Sequence, residues 1–357
     1  MSAPMAMMLA GGTGGHVYPA LAVALDLRER GFRLAWIGTR RGLEARVVPA
    51  ADIQLYQLPM RGLRGKGLLQ QMLAVVLLGF SLLRSLWLML RLRPALVVGM
   101  GGYASFPAAL AAWLTRRPLL LQEQNAVPGS ANRALARFAS QIATGFPNVL
   151  EQYSTATYLG NPVRKDMLSV ATDSPWIRHA DEPLRVLVLG GSLGAKPLNE
   201  AMPAVAALLG PQCEWRHQCG PAHADTTRAD YATVSNAQWS VEPYLEDMPE
   251  AYAWAQLVIC RAGALTVAEL AVTGRPSILI PLPYAIDDHQ TANARFLSDA
   301  GAAVLLAQSD LDQQLEATLR GLIADCDLMQ GMSSAALGCA RPEATRMIAD
   351  CGEALTR

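Results

Sequence analysis

Charge and aromatics are both scarce in this chain, 17% and 6% of 357 residues, against 52% hydrophobic. That balance excludes a disordered or solvating chain. At this length two domains of about 150–200 residues each are expected. Cysteine is missing from the first half altogether. Cys213, Cys219, Cys260, Cys326, Cys339 and Cys351 all lie in the second, and none forms a C-x-x-C pair, so they read as reduced, mostly buried thiols of a cytoplasmic protein. No basic residue precedes the apolar stretch of MSAPMAMMLAGGTGG, so no signal peptide is expected.

Acidic residues are also rare in the first half. Residues 1–163 hold 16 of the 30 Lys and Arg but 6 of the 30 Asp and Glu, a surplus of +10 that the remainder answers with −10. A basic half of this kind meets something anionic, phosphates or an acidic lipid surface; no nucleic acid is expected. Also lacking is an uninterrupted membrane-length apolar run. The segment 68–92, LLQQMLAVVLLGFSLLRSLWLMLRL, is apolar almost all round but broken by Arg84, and only Met72 to Leu83 is free of charge and amide side chains. Twelve helical residues span about 18 Å, short of the ~30 Å hydrocarbon core. Flanked by Arg61, Arg64, Lys66, Arg91 and Arg93, the segment suits a helix seated among anionic headgroups, and equally a crossover helix buried on its inner face.

What is present is a rhythm. Strand-length apolar runs alternate with helix-length segments (MAMMLA, FRLAWIG, ALVVG, PLLLQ), and the pattern restarts after 171–183 with LRVLVLGG, CEWRHQ, LVIC and SILIPLP. This alternation predicts an α/β protein with two Rossmann-like parallel-sheet domains. Their bounds are expected at 1–163 and 164–341, with a last helix, 342–357, able to pack back on the first. Three strands run into glycine loops: Gly11-Gly12-Thr13-Gly14-Gly15-His16, Gly99-Met100-Gly101-Gly102-Tyr103 and Gly190-Gly191-Ser192-Leu193-Gly194-Ala195. Glycine lets backbone approach a ligand, and a helix N-terminus behind it favours an oxyanion. A dinucleotide enzyme is disfavoured. The spacing G-x-G-x-x-G/A fails at Gly12-Thr13-Gly14, where the sixth position is Val17, and FRLAWIG ends in Thr39-Arg40-Arg41 rather than an acid.

The motifs GGTGGHVYPALA (11–22), GMGGYASFPAALAA (99–112), EQNAVPG (123–129), GNPVR (160–164), GGSLGAKPLN (190–199), CRAGALTVAELAVTGRPSILIPLP (260–283) and DDHQTANA (287–294) together resemble the MurG family. These are bacterial glycosyltransferases that add N-acetylglucosamine to undecaprenyl-pyrophosphoryl-N-acetylmuramoyl-pentapeptide (lipid I), making lipid II. The resemblance implies a GT-B fold, two domains facing each other across a cleft, and inverting transfer to the muramoyl C4 hydroxyl. It also implies a peripheral place on the cytoplasmic face of the inner membrane, with 61–93 on the anionic surface.

Carried over by position, the resemblance puts Thr13, Gly14, Gly15, Asn125, Arg164, Ser192 and Leu245 on the donor UDP-N-acetylglucosamine. Ala264, Leu265, Thr266, Val267, Ala268, Glu269, Gln290 and Asn293 join them. Gly14, Gly15, His16, Gly101, Gly102 and Tyr103 fall to the acceptor pyrophosphate. The chemistry of the residues agrees: a carboxylate such as Glu269 matches two ribose O–H donors, while Gln290 and Asn293 share a helix face and offer donor and acceptor to a sugar. His16 is the candidate base, with an unperturbed pKa of about 6.5; capping the helix or binding pyrophosphate are its alternatives. Loop N–H groups, helix ends, Ser192 and Arg261 are candidates for meeting the departing diphosphate. No D-x-D pair or His/Cys cluster lies near the loops, so neither an obligatory metal nor another cofactor is expected. Leu193 stands where many members carry glutamine, and Gln122 where histidine is common. A UDP-N-acetylglucosamine 2-epimerase and a non-catalytic membrane-associated nucleotide-sugar binder are the rival readings; the epimerase gives neither the basic first half nor the apolar 68–92 segment a role.

Overall fold

The computed structural model describes residues 3–40, 42–60, 68–102, 105–283 and 288–357, and the side chains of the 68–92 helix from Val75 onward. Two compact units divide the chain, Met1–Arg164 with Pro342–Arg357, and Lys165–Arg341. Arg164 therefore belongs with the first sheet.

The first unit is a seven-stranded sheet in the order β3-β2-β1-β4-β5-β6-β7, every pairing parallel. Its strands are β1 Met5–Leu9, β2 Arg33–Thr39, β3 Gln54–Leu58, β4 Leu96–Gly99, β5 Leu119–Glu123, β6 Gln141–Thr144 and β7 Ala156–Tyr158. β1 and β4 are apolar along their whole length, and β5 until its last two residues, Gln122 and Glu123, because helices cover both faces and leave no polar side for alternation. Met8, Val98 and Leu120 meet Val17, Ala20 and Val23 of helix Gly14–Glu29 in one core.

The last helix, Ala344–Ala354, completes this core with Ile348 and Ala349. Gly352 lets it close on the sheet, since a Cβ there would come 2.7 Å from Leu96. Arg30 ties it down, bonding Asp26 of its own helix and Asp350 and Glu353 of the last one.

Helix Leu68–Leu92 is the crossover from β3 to β4. By length and composition Val75–Leu92 is apolar enough to cross a membrane, with a mean hydropathy of 1.8. Its topology argues otherwise. Both of its ends return to one sheet, and Ser81, Ser85, Leu88 and Met89 are buried against the unit. The opposite face is bare: Val76, Phe80, Leu83, Trp87 and Leu90, spaced four, three, four and three apart, are each more than half exposed. Arg91 lies over the Trp87 ring at 5.2 Å. Helix Ser105–Leu114 packs beside it and exposes Trp113 and Leu114 at its end. The flanking Arg61, Arg64 and Lys66 lie outside the described residues.

The second unit repeats the plan with six parallel strands ordered β10-β9-β8-β11-β12-β13. They are β8 Leu184–Leu189, β9 Cys213–Gln218, β10 Gln238–Glu242, β11 Leu257–Cys260, β12 Ser277–Leu279 and β13 Ala303–Leu305. Val186, Val188, Trp215, Leu257 and Ile259 form its core with Leu198, Leu315 and Met329 from the covering helices.

Candidate active site

Strand order reverses between β1 and β4 in the first unit and between β8 and β11 in the second. Open parallel sheets bind ligands outside the carboxyl ends of the strands at such a reversal, where adjacent loops diverge to opposite faces. The glycine turns sit there in pairs: after β1 and β4 in one unit, after β8 and β11 in the other.

In the first unit Thr13 is the extended residue before helix Gly14–Glu29, so Gly14, Gly15 and His16 are its first turn. The first N–H groups of a helix have no acceptor within it, and here they belong to Gly14 and Gly15. The Thr13 hydroxyl lies 3.5 Å from His16 Nδ1. The imidazole edge rests on the second loop: a Cβ on Gly101 would stand 3.1 Å from His16 Cδ2 and 3.3 Å from Nε2. Gly101 and Gly102 both have φ of +82°, and a Cβ on Gly102 would press to 2.9 Å on the Gly11 carbonyl. The two loops therefore touch through atoms that only glycine leaves clear. His16, Gly14, Gly15, Gly101 and Gly102 are thus brought together; Tyr103 lies outside the described residues.

Asn125 follows β5, and its backbone N–H and side-chain amide both donate to Glu123 Oε1, at 2.9 and 3.4 Å. Gly129 N–H and Asn132 Nδ2 donate to Oε2. Burial pushes the Glu123 carboxyl above its ordinary range, and these four donors oppose that by favouring the anion. Gln122, at the position where histidine is common, donates to Asn161 Oδ1, whose own amide donates to the Gln124 carbonyl. The GNPVR motif thus braces the EQN loop from behind.

In the second unit Ser192 and Leu193 stand exposed on the loop after β8, Leu193 at 81%. The loop is packed so closely on the end of β9 that a Cβ on Gly194 would overlap the Cys219 carbonyl. Gln218 Nε2 donates to Gly191 O at 2.9 Å and Pro243 O at 3.2 Å, tying the loop to the stretch that leads to Leu245. Leu245 itself is 5% exposed.

Helix Ala264–Thr273 begins directly after Gly263. Leu265, Thr266 and Ala268 are partly exposed, while Ala264 and Val267 face the core, and the Val267 N–H is taken by the Gly263 carbonyl. Glu269 is 9% exposed, with Tyr252 Oη donating to its Oε2 at 3.2 Å.

One expectation changes here. Asn293 does not share an open face with Gln290: it is fully buried, donating to Ala262 O at 3.2 Å, and supports the turn into the helix from beneath. Gln290 accepts the Leu282 N–H at 2.9 Å, which leaves its side-chain N–H groups and one lone pair of its oxygen for a sugar. Arg261 bonds the Ile280 and Pro281 carbonyls and Gln308. Burial lowers its pKa. These bonds brace the residues that follow β12. Among the described residues no three His, Cys, Asp or Glu side chains cluster as metal ligands would.

Sequence reasoning missed the residues that brace the loops. Glu123 was visible inside its own motif, but Glu44, Gln218 and Tyr252 stand in no glycine turn, and only the fold brings them near one.

Two parallel sheets with paired glycine turns at each reversal, and helix N-termini behind them, make a fold of the GT-B class. Residues 6–144 match the glycosyltransferase family 28 N-terminal domain, and residues 185–347 the family's C-terminal domain. The chain is 52% identical over 351 residues to the UDP-N-acetylglucosamine--N-acetylmuramyl-(pentapeptide) pyrophosphoryl-undecaprenol N-acetylglucosamine transferase of Alkalilimnicola ehrlichii, with 96% of each chain covered. It is similar to the crystal structure of Acinetobacter baumannii MurG, with a TM-score of 0.83 and 39% identity over 98% of this chain and 99% of that one. The chain belongs to the MurG family, within glycosyltransferase family 28. A UDP-GlcNAc 2-epimerase from Neisseria meningitidis shares the fold, with a TM-score of 0.67 at 16% identity over 97% of this chain and 99% of that one. At that identity the likeness speaks for fold alone.

Proposed function

We propose that this enzyme transfers N-acetylglucosamine from UDP-N-acetylglucosamine to the C4 hydroxyl of the muramoyl sugar of lipid I, giving lipid II with inversion at the anomeric carbon. The similarity to the transferase of A. ehrlichii over 96% of both chains carries this reading. The acceptor oxygen attacks the anomeric carbon, the bond to the β-phosphate oxygen breaks, and UDP departs with that electron pair. The proton of the attacking hydroxyl passes to His16, whose ring lies where the two glycine loops of the first unit meet.

The N–H groups of Gly14 and Gly15 fit the acceptor pyrophosphate. In the second unit the Gly190–Gly194 loop, Ser192 and the start of helix Ala264–Thr273 receive the diphosphate of the donor. Arg164 and Asn125 serve the donor as well. Glu269 takes the ribose hydroxyls, Leu245 the uracil, and Gln290 the sugar. The step needs no metal: turnover undiminished in excess chelator is expected, and a loss restored by Mg²⁺ or Mn²⁺ would overturn that part.

The protein works as a peripheral enzyme on the cytoplasmic face of the inner membrane. The bare stripe from Val76 to Leu90, bordered by Arg84 and Arg91, supports this. Five large apolar side chains on one exposed helical face match a lipid surface, and arginines match its anionic headgroups.

Incubation with labelled UDP-N-acetylglucosamine and a lipid I analogue tests the reaction. Label in a lipid-linked disaccharide is the expected result. A free mannosamine epimer, or no product at all, would sink the proposal.

A further inference from the structure

Glu269 is the only carboxylate placed at the nucleoside in the proposed reaction, and one of its oxygens already has a donor. Tyr252 Oη lies 3.2 Å from Glu269 Oε2. The tyrosine is fully buried on helix Met248–Trp254. A buried hydroxyl costs desolvation unless it finds a partner. Here the partner is a carboxylate assigned to the ligand.

The contact is braced on both sides. Arg275, 1% exposed, donates through Nε to the Tyr252 carbonyl at 2.7 Å and through Nη2 to the Ser174 carbonyl at 2.7 Å. Its own N–H bonds the carbonyl of Leu270, next to Glu269. One buried arginine thereby holds the helix of the tyrosine and the helix of the glutamate in register. Upstream, Asp247 caps the tyrosine's helix by accepting the Glu250 N–H at 2.9 Å, and Leu245 lies two residues before that cap. A single stretch, 245–252, carries both the aliphatic contact assigned to the base and the hydroxyl that touches Glu269.

We propose that Tyr252 is a positioning residue for ribose selectivity: its hydroxyl fixes the rotamer of Glu269 so that the carboxylate meets the 2′- and 3′-hydroxyls together. A glutamate has three side-chain torsions, and a terminal one that is broad. Anchoring one oxygen removes that freedom before the ligand arrives, so less ordering is needed on binding. The benefit is specific to a ligand that uses both hydroxyls. A 2′-deoxyribonucleotide donor makes one hydrogen bond fewer and gains less from a preset carboxylate. This inference rests on the assignment of Glu269 to the ribose.

The test compares steady-state kinetics with UDP-N-acetylglucosamine and its 2′-deoxy analogue for the full-length wild type, Y252F and E269A. Y252F keeps the ring, so the folded state is retained. It should raise KM for the ribose donor roughly fivefold to fifteenfold with kcat unchanged. KM for the 2′-deoxy donor should rise less, so the preference between the two narrows. E269A should abolish the preference. If E269A keeps the wild-type preference, the ribose assignment of Glu269 fails and the inference with it. If E269A loses the preference while Y252F retains it, or Y252F raises both KM values in proportion, Tyr252 is only a packing residue and the inference alone is overturned.

Discussion

The Glu44 carboxylate holds the first glycine loop from behind: its Oε2 accepts the Gly12 N–H at 3.0 Å. Its Oε1 accepts both the N–H and the hydroxyl of Thr39 at 2.7 Å, and the neighbouring Leu43 N–H bonds the Gly12 carbonyl at 3.3 Å. Gly12 is therefore gripped at both its donor and its acceptor by the turn that follows β2. The side chain is fully buried, in a space kept open by two glycines. A Cβ on Gly42 would overlap the carboxylate, and one on Gly38 would come 2.6 Å from Glu44 Cγ. In a dinucleotide enzyme an acid near the end of this strand reaches outward to a ribose; here it points inward and shapes a loop.

Replacing Glu44 with alanine leaves three donors without their acceptor, two of them on the backbone. Unsatisfied buried donors cost about 1–3 kcal/mol each, partly recovered by relaxation and water. E44A should lower the unfolding free energy of the first unit by roughly 2–4 kcal/mol, and E44Q, which keeps one acceptor oxygen, by less. Urea unfolding measures both. An E44A stability within 0.5 kcal/mol or so of wild type, the ordinary scatter of surface substitutions, would show that the grip contributes nothing.

His16 and Gly101 are predicted to fail in different ways. Loss of the imidazole in H16A should depress kcat by roughly 10²–10⁴-fold if it takes the proton; a change confined to KM would make it an acceptor ligand. G101A adds a methyl at φ +82°, 3.1 Å from the His16 ring. Both the backbone and the imidazole must give way, so kcat should fall by at least tenfold, of the order expected when a catalytic group is misplaced. Normal kcat in G101A would mean the ring works elsewhere.

The bare stripe gives a prediction independent of catalysis. Burying a large apolar side chain is worth about 1.5–3 kcal/mol, so each of Phe80, Leu83 and Trp87 changed to glutamate should weaken binding to anionic liposomes by at least about tenfold. Turnover of a short-chain soluble acceptor should stay near wild type, because these side chains face outward. Co-sedimentation indistinguishable from wild type would remove the stripe from the membrane.

The centre of each sheet was legible in the sequence, and its margins were not. β1, β4 and β11 are buried on both faces and read as unbroken apolar runs such as MAMML and LVIC, while β8 is interrupted only by Arg185 and β5 is apolar up to Gln122 and Glu123. The edge strands β3, β10 and β13 are short or half-polar: QWSVE at β10 buries only Val241 and carries no run to notice. β6 and β7, four and three residues long, fall below any periodic signal. The site divides in the same way. Glycine turns announce themselves because backbone geometry demands the residue type, as at Gly101 and Gly102. Glu44 and Gln218 act across the fold, on partners 32 and 27 residues away, and nothing in local spacing marks them. Asn293 went astray for a related reason: a three-residue spacing from Gln290 shows that two side chains are neighbours on a helix, not that both face outward.

Beneath the glycine loop of the second unit, His217 is predicted to make stability pH-dependent. Its Nδ1 lies 3.2 Å from Tyr231 Oη and its Nε2 3.0 Å from Asn199 Oδ1; the Asn199 amide in turn donates to the Cys219 carbonyl, the atom packed under Gly194. Burial pulls the imidazole from its ordinary 6.5 down to about 3. A histidine kept neutral in the fold but free to charge when unfolded costs nothing above pH 6.5. Below that, the unfolded chain binds a proton the folded chain refuses, so stability falls as pH falls, by up to about 1.4 kcal/mol per pH unit, until pH approaches 3. Between pH 7 and 5 this amounts to about 2 kcal/mol. H217Q should be less stable at neutral pH, having lost a two-sided partner. It should also lose about 2 kcal/mol less than wild type on going from pH 7 to 5, because every other titrating group is common to both proteins. Parallel stability curves for the two would mean that the imidazole is protonated in the fold, and that the Asn199 bridge beneath Gly194 changes its hydrogen bonding with pH.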